Sequence, residues 1–341
     1  MTSVFAGIGW HMLGAFMAAT FYVPIGRVKS WTWETTWSIS GLFAWILLPI
    51  GVSLVLLPHF HEFYASMSWS MLVRVTLFGI LWGVGGMTYG LTIRHLGLAL
   101  GIGIAQGINM MVGTLLPPLV QGQGGALFAT RSGRIEMAGV FVALIGVAVV
   151  SWAGHLKETR KGELGEFNVA LGVALAILCG FSSSGMSFGI IAAKPMEQAA
   201  LHLGVNPFYA AMPAYVLIMG GGALVNWSYC GYRLWTLRRN PLDDMRQPGS
   251  VLARNGALAA AGGIMWYLQF FFYAWGAANI AQRLSYVNWA LHMSGYVLFG
   301  GLVGLALGEW YGVGSRPIRI LWAGILLIIA AANIVGMGMA S

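Results

Sequence analysis

Apolar residues gather along this chain in ten long runs, at roughly 4–24, 36–57, 71–93, 98–120, 135–154, 168–191, 207–232, 255–278, 286–308 and 318–338. A helix crosses the hydrocarbon layer of a bilayer in ~20 apolar residues, so each run predicts one membrane-spanning helix. The breaks between them carry charge, Pro or Gly, as in "IGRVKS", "HLKETRKGELGE" and "RLWTLRRNPLDDMRQPG". The longest polar stretch, about 233–254, is too short for a soluble domain. No basic segment precedes the first run, which reads as a spanning helix and not as a cleaved signal peptide. The pattern therefore predicts an all-α integral membrane protein of ten transmembrane helices.

Lysine and arginine orient it. The breaks after spans 1, 3, 5, 7 and 9 hold 13 of the 18 basic residues, and the other side holds Arg74, Arg131, Arg134, Lys194 and Arg283. Positive residues stay on the cytoplasmic side. With an even number of spans both termini then face outward. The net charge of +8 is thus a topology signal and not a nucleic-acid surface.

The two halves echo each other. "GAFMAATFYVPIGRVK" (14–29) resembles "GFSSSGMSFGIIAAKP" (180–195) in its small residues and basic end. "RHLGLALGIGIAQGINMM" (94–111) aligns with "YAWGAANIAQRLSYVNWA" (273–290), setting Gly97 on Gly276 and Asn109 on Asn288. Five spans per half is odd, so the second half is inverted. Residues 1–160 form the first five-helix repeat and 161–341 the second. Inverted repeats are typical of secondary transporters, with the site near the midplane between halves.

Polar residues inside the spans are costly and mark function. His11 interrupts "GIGWHMLGAF" and His292 interrupts "VNWALHMSGY", with Asn288 one turn before it. Gln106 and Asn109 share a helical face. Trp266, Gln269 and Tyr273 recur as one stripe of "GGIMWYLQFFFYAWG". Amides and imidazoles bond hydroxyls, and flat aromatic faces pack the apolar side of a sugar ring, so these residues suit a small neutral polyhydroxy ligand. The structural reading of the same residues is helix–helix hydrogen bonding and interfacial aromatics. Glu34, among the tryptophans of "WTWETTW", begins span 2. It is either a helix-terminal carboxylate favoured by the macrodipole or part of a proton route. Imidazole titrates near neutrality, so the order expected for a proton-linked group is His292, Glu34, His11. Lys194 ends span 6 and is expected to snorkel outward.

Cys179 and Cys230 lie in apolar spans and suggest no disulfide or metal site. His59 and His61 have only Glu62 beside them, too little for a metal. With no H-E-x-x-H and no midplane carboxylate pair, an enzyme is not expected. No cofactor is expected beyond a coupled proton, and the assembly expected is a monomer or weak homodimer.

Long stretches also carry a family resemblance: "GIGWHMLGA", "FYVPIGRVKSWTWETTWS", "YGLTIRHLGLALGIGIAQG", "AAKPM", "IMGGGALVN", "GGIMWYLQFFFYAWG", "WALHMSGYVLFGGLVGLALGEW" and "AANIVGMGMA". They resemble the bacterial L-rhamnose–proton symporter family, within the drug/metabolite transporter superfamily, over almost the whole chain. The resemblance implies two inverted five-helix halves, an inner-membrane location, and proton-coupled uptake of a 6-deoxyhexose, L-rhamnose first. His11, Glu34, Trp266, Gln269, Tyr273 and His292 fall in stretches typical of that family. The chain departs from the family pattern at Ser285, Asn288 and Gln106, which leaves open a carrier of the same fold for another small neutral sugar or metabolite. A sugar-binding sensor and a channel are the further alternatives.

Overall fold

Helices account for every regular element of the computed structural model, which describes residues 4–96, 98–120, 122, 124–162, 168–280 and 287–340. Nine of them are long and apolar enough to cross a membrane: Val4–Ile25 (span 1), Trp33–Leu56 (2), Trp69–Leu96 (3), Leu100–Val120 (4), Arg131–Lys161 (5), Ala170–His202 (6), Gly249–Asn279 (8), Val287–Ala306 (9) and Ser315–Gly338 (10). The remaining expected span, Met212–Thr236 (7), is a helix of 25 residues. Its run of three glycines and its Asn226 and tyrosines dilute the apolar signal, so it matches the others in length but not in hydropathy.

Several helices outrun their apolar cores. Span 5 starts at a Thr130 cap, whose side chain accepts from the Gly133 amide, and ends at Gly162 in the left-handed conformation. A capping hydroxyl satisfies an otherwise orphan amide, and glycine adopts the left-handed turn without a Cβ penalty. Span 6 does not end at Lys194 as the sequence suggested. The chain turns at Ala193 and continues as Lys194–His202. Lys194 pairs with Glu197, one helical turn on, at 2.7 Å.

Packing follows a regular scheme. Span 1 lies against spans 8 and 9, and span 6 lies against spans 3 and 4. Span 2 meets span 8, as span 7 meets span 3, and spans 2 and 7, 4 and 9, and 5 and 10 meet pairwise. Each contact named maps onto another, or onto itself, when five is added to or subtracted from the span numbers. Spans 1 and 6 are thus each seated in the opposite half of the sequence. Small residues allow the closest approaches.

Outside the spans, the short helix Phe60–Ala65 rests on the start of span 7, where the Tyr64 hydroxyl donates to the Pro213 carbonyl at 2.9 Å. Burial pushes the Tyr64 hydroxyl's pKa up, so it stays a donor.

Candidate functional site

Spans 1, 8 and 9 bring five of the expected residues into one buried cluster. His11 and His292 are both fully buried, with ring centroids 6.4 Å apart. The ring of Tyr273 stands edge-on to both, at 4.9 Å from His11 and 5.4 Å from His292. Close approach of the helices is required here. A Cβ on Gly276 would strike the His11 ring, and one on Gly14 would crowd His292 and the Gln269 carbonyl.

Hydrogen bonds set the imidazole tautomers. Gln269 Nε2 donates to the Trp266 carbonyl at 2.9 Å, so its Oε1 is the acceptor turned toward His292 Nε2, 3.4 Å away. His292 Nε2 must then carry hydrogen. His11 Nε2 lies 3.0 Å from Asn288 Oδ1 and, with that amide oxygen as the acceptor, carries hydrogen as well. In both rings Nδ1 is the remaining position. Both Nδ1 atoms are buried and lack a hydrogen-bond partner within bonding geometry among the described residues, although the His292 ring also contacts the His11 backbone.

Asn109 and Gln106 stand beside this cluster, on span 4. Asn109 Nδ2 donates to Gln106 Oε1 at 3.0 Å and to Met293 Sδ at 3.4 Å. Trp289 Nε1 donates to both the carbonyl and Oδ1 of Asn109, each at 3.2 Å. Trp289 is thereby the link between the two polar groups, since its ring also lies against Tyr273 and His292. Tyr89 and Tyr296 complete the Gln106 side.

Two expected residues sit elsewhere. The Trp266 ring turns away from the histidines, into an aromatic group with Trp82 at 5.3 Å, Phe270 at 5.1 Å and Trp45 at 6.2 Å. Glu34 is in the first turn of span 2, whose N-cap Thr32 accepts from the Thr35 amide. Glu34 is buried and paired with Arg233 of span 7 at 3.4 Å, not with Arg27 or Lys29, its neighbours in sequence. Thr32 donates through its amide and hydroxyl to Asp244, at 3.0 and 2.7 Å, and Asn255 Nδ2 donates to the Lys29 carbonyl at 2.6 Å. These contacts tie the span 1–2 connection to the chain around span 7 and span 8. Trp37 Nε1 donates to Asn226 and Trp227 Nε1 to the Ser38 carbonyl, which extends the tie inward.

At 1.5 Å per residue His11 lies about 10 Å in from Val4 and Gln269 about 15 Å in from Asn279. Of the departures from the family pattern, Ser285 is outside the described residues.

Sequence reasoning missed Trp45, Trp82, Trp289, Asn226 and the partners of Glu34. Asn226 carried a usable signal, since "VNWSY" repeats the "VNWAL" around Asn288. No group of three or more His, Cys, Asp or Glu that would hold a metal occurs among the described residues.

The comparisons with known proteins agree with one another. A family model described as "L-rhamnose-proton symport protein (RhaT)" matches residues 1–341. A protein of Yersinia pestis (strain Pestoides F) named "L-rhamnose-proton symporter" is 52% identical over 341 residues, covering 99% of each chain. A protein of the same name from Escherichia coli (strain SMS-3-5 / SECEC) is 52% identical over 337 residues, covering 98% of each.

Proposed function

The chain belongs to the L-rhamnose–proton symport family, and from that premise we propose that it imports L-rhamnose, or a related 6-deoxyhexose, across the bacterial inner membrane together with a proton. It is a transporter and not an enzyme. The single observation that carries the reading at the site is the buried, uncharged hydrogen-bonding array of His11, Asn288, His292 and Gln269 in a chain of this family. Amides and imidazoles on rigid helices recognise hydroxyls, while the edges and faces of Tyr273 and Trp289 suit the apolar face and methyl group of a 6-deoxy sugar, with Trp266 one turn from Gln269 on the side away from the histidines. Asn109 and Gln106 supply the amides on the opposite side.

His292 is the first candidate for the proton. With Nε2 already donating to Gln269, an incoming proton takes Nδ1, beside the backbone of His11. His11 is the neighbouring imidazole that the same event would disturb. Glu34 fits a different role, as the charge that holds Arg233 in a closure on the cytoplasmic side. Alternating access follows from two inverted halves, 1–160 and 161–341, a reading supported by the paired contacts of spans five apart. Both termini then face the periplasm.

Proteoliposome uptake of labelled L-rhamnose tests this, with and without an imposed inward proton gradient. Accumulation above equilibrium only with the gradient supports symport. Binding without accumulation would make the protein a sensor, and uptake without counterflow acceleration would make it a channel.

A further inference from the structure

Span 2 contains one irregular turn, and it carries one residue that the polar cluster does not use. Leu42–Leu47 is π-helical between two α-helical segments. Such turns are rare and concentrate at functional sites, because the extra residue re-aims a side chain. Here it carries Trp45 inward. The ring lies over Gly41, where any Cβ would overlap it, and the facing ring of Trp82 lies in the same way over Gly222. Trp37, Trp82, Trp227 and Trp266 surround Trp45 at 5.6, 6.4, 6.5 and 6.2 Å between centroids, mostly edge to face. The group draws on spans 2, 3, 7 and 8, and Trp266 is one helical turn from Gln269.

Trp45 is only 3% exposed, and its indole N–H has no hydrogen-bond partner among the described residues. Trp37, Trp227 and Trp289 donate to protein acceptors, while Trp31 and Trp275 share with Trp45 a buried Nε1 without a partner among the described residues, and of these three only Trp45 lies in the ring cluster beside Trp266. A buried unsatisfied N–H is costly, and a phenylalanine would fill an aromatic cluster without that cost. The donor is explained if an acceptor visits it.

We propose that Trp45 is a sugar-contacting residue of the transport pathway, whose ring stacks on the apolar face of a neutral 6-deoxyhexose and whose indole N–H donates to one of its hydroxyls. This rests on the reading of the protein as an L-rhamnose carrier and adds to it a second subsite, next to the histidine cluster on the side of the Glu34 closure. Sugar leaving Gln269 meets the Trp266 face first and Trp45 behind it.

The test measures equilibrium binding of L-rhamnose and its 2-, 3- and 4-deoxy analogues to the purified full-length chain, wild type and Trp45→Phe. Failure of the wild type to bind L-rhamnose would reject the carrier reading itself. Given wild-type binding, Trp45→Phe is expected to bind L-rhamnose roughly 10-fold more weakly. One deoxy analogue should lose a similar factor on the wild type and nothing further on Trp45→Phe. If Trp45→Phe does not purify folded, Gly41→Ala keeps the indole but pushes it from its slot, and the same loss is expected. Wild-type affinity in the folded variant, or losses that simply multiply for every analogue, would overturn the proposal and leave Trp45 a packing residue.

Discussion

His11 and Asn288, 277 positions apart in the chain, meet at 3.0 Å in a fully buried contact between spans 1 and 9. The bond crosses from the first half of the sequence to the second. It is matched in kind by Trp289 and Asn109, which join spans 9 and 4. Span 1 is packed against spans 8 and 9, and span 6 against spans 3 and 4.

Removing the amides of this contact set should weaken sugar binding. Loss of one buried hydrogen bond costs about 1–3 kcal/mol, or roughly 5- to 150-fold in affinity. Asn288→Ala and Gln269→Ala are each expected to fall in that range while still inserting and folding. Titration of both purified variants with L-rhamnose checks it, and wild-type affinity in both removes these amides from the site.

The Glu34–Arg233 pair should behave as a coupled unit. Glu34's side chain is 8% exposed and Arg233's 43%, so the pair lies between a surface and a buried ion pair. Arg233→Ala leaves a buried carboxylate without its partner and should slow net transport. Adding Glu34→Gln should recover part of the loss, with a coupling energy of about 1–2 kcal/mol in a double-mutant cycle on uptake rates. Additive losses would show that the two side chains act separately.

Neighbouring glycines of span 7 should respond differently to alanine. A Cβ at Gly221 would run into the Thr76 carbonyl and the Ile80 amide of span 3, whereas Gly220 faces open space. Gly221→Ala is expected to cost about 1–3 kcal/mol of stability through overpacking. Gly220→Ala should be neutral. Thermal unfolding of both variants in the same detergent distinguishes them, and an equal response would contradict the packing of spans 3 and 7.

Reporter fusions after Ser341 test orientation. With 13 basic residues on one side and 5 on the other, a fusion should be active only as a periplasmic reporter. Activity only as a cytoplasmic reporter would invert the topology.

The spans were legible because each is a continuous apolar run, and only Met212–Thr236 falls short of the others in hydropathy. The histidine cluster was also legible. A polar residue inside such a run has nowhere to go but inward, and the spacing of Asn288 with His292 and of Gln269 with Tyr273 gave their shared faces. Partners across helices were not. Nothing near Glu34 in sequence points to Arg233, 199 positions away, and the nearer Arg27 and Lys29 misdirect. Trp45 was one tryptophan among 15, since a π turn leaves no sequence periodicity to read.

Proton movement driven by sugar tests symport at His292 most directly. Proteoliposomes containing a trapped pH dye, with no imposed gradient, receive L-rhamnose from outside. The wild type is expected to acidify the interior when L-rhamnose is added. His292→Gln is expected to exchange labelled L-rhamnose across the membrane without acidifying it. L-rhamnose uptake by the wild type with no change in internal pH would contradict proton symport, and full acidification by His292→Gln would contradict the assignment of the proton to His292.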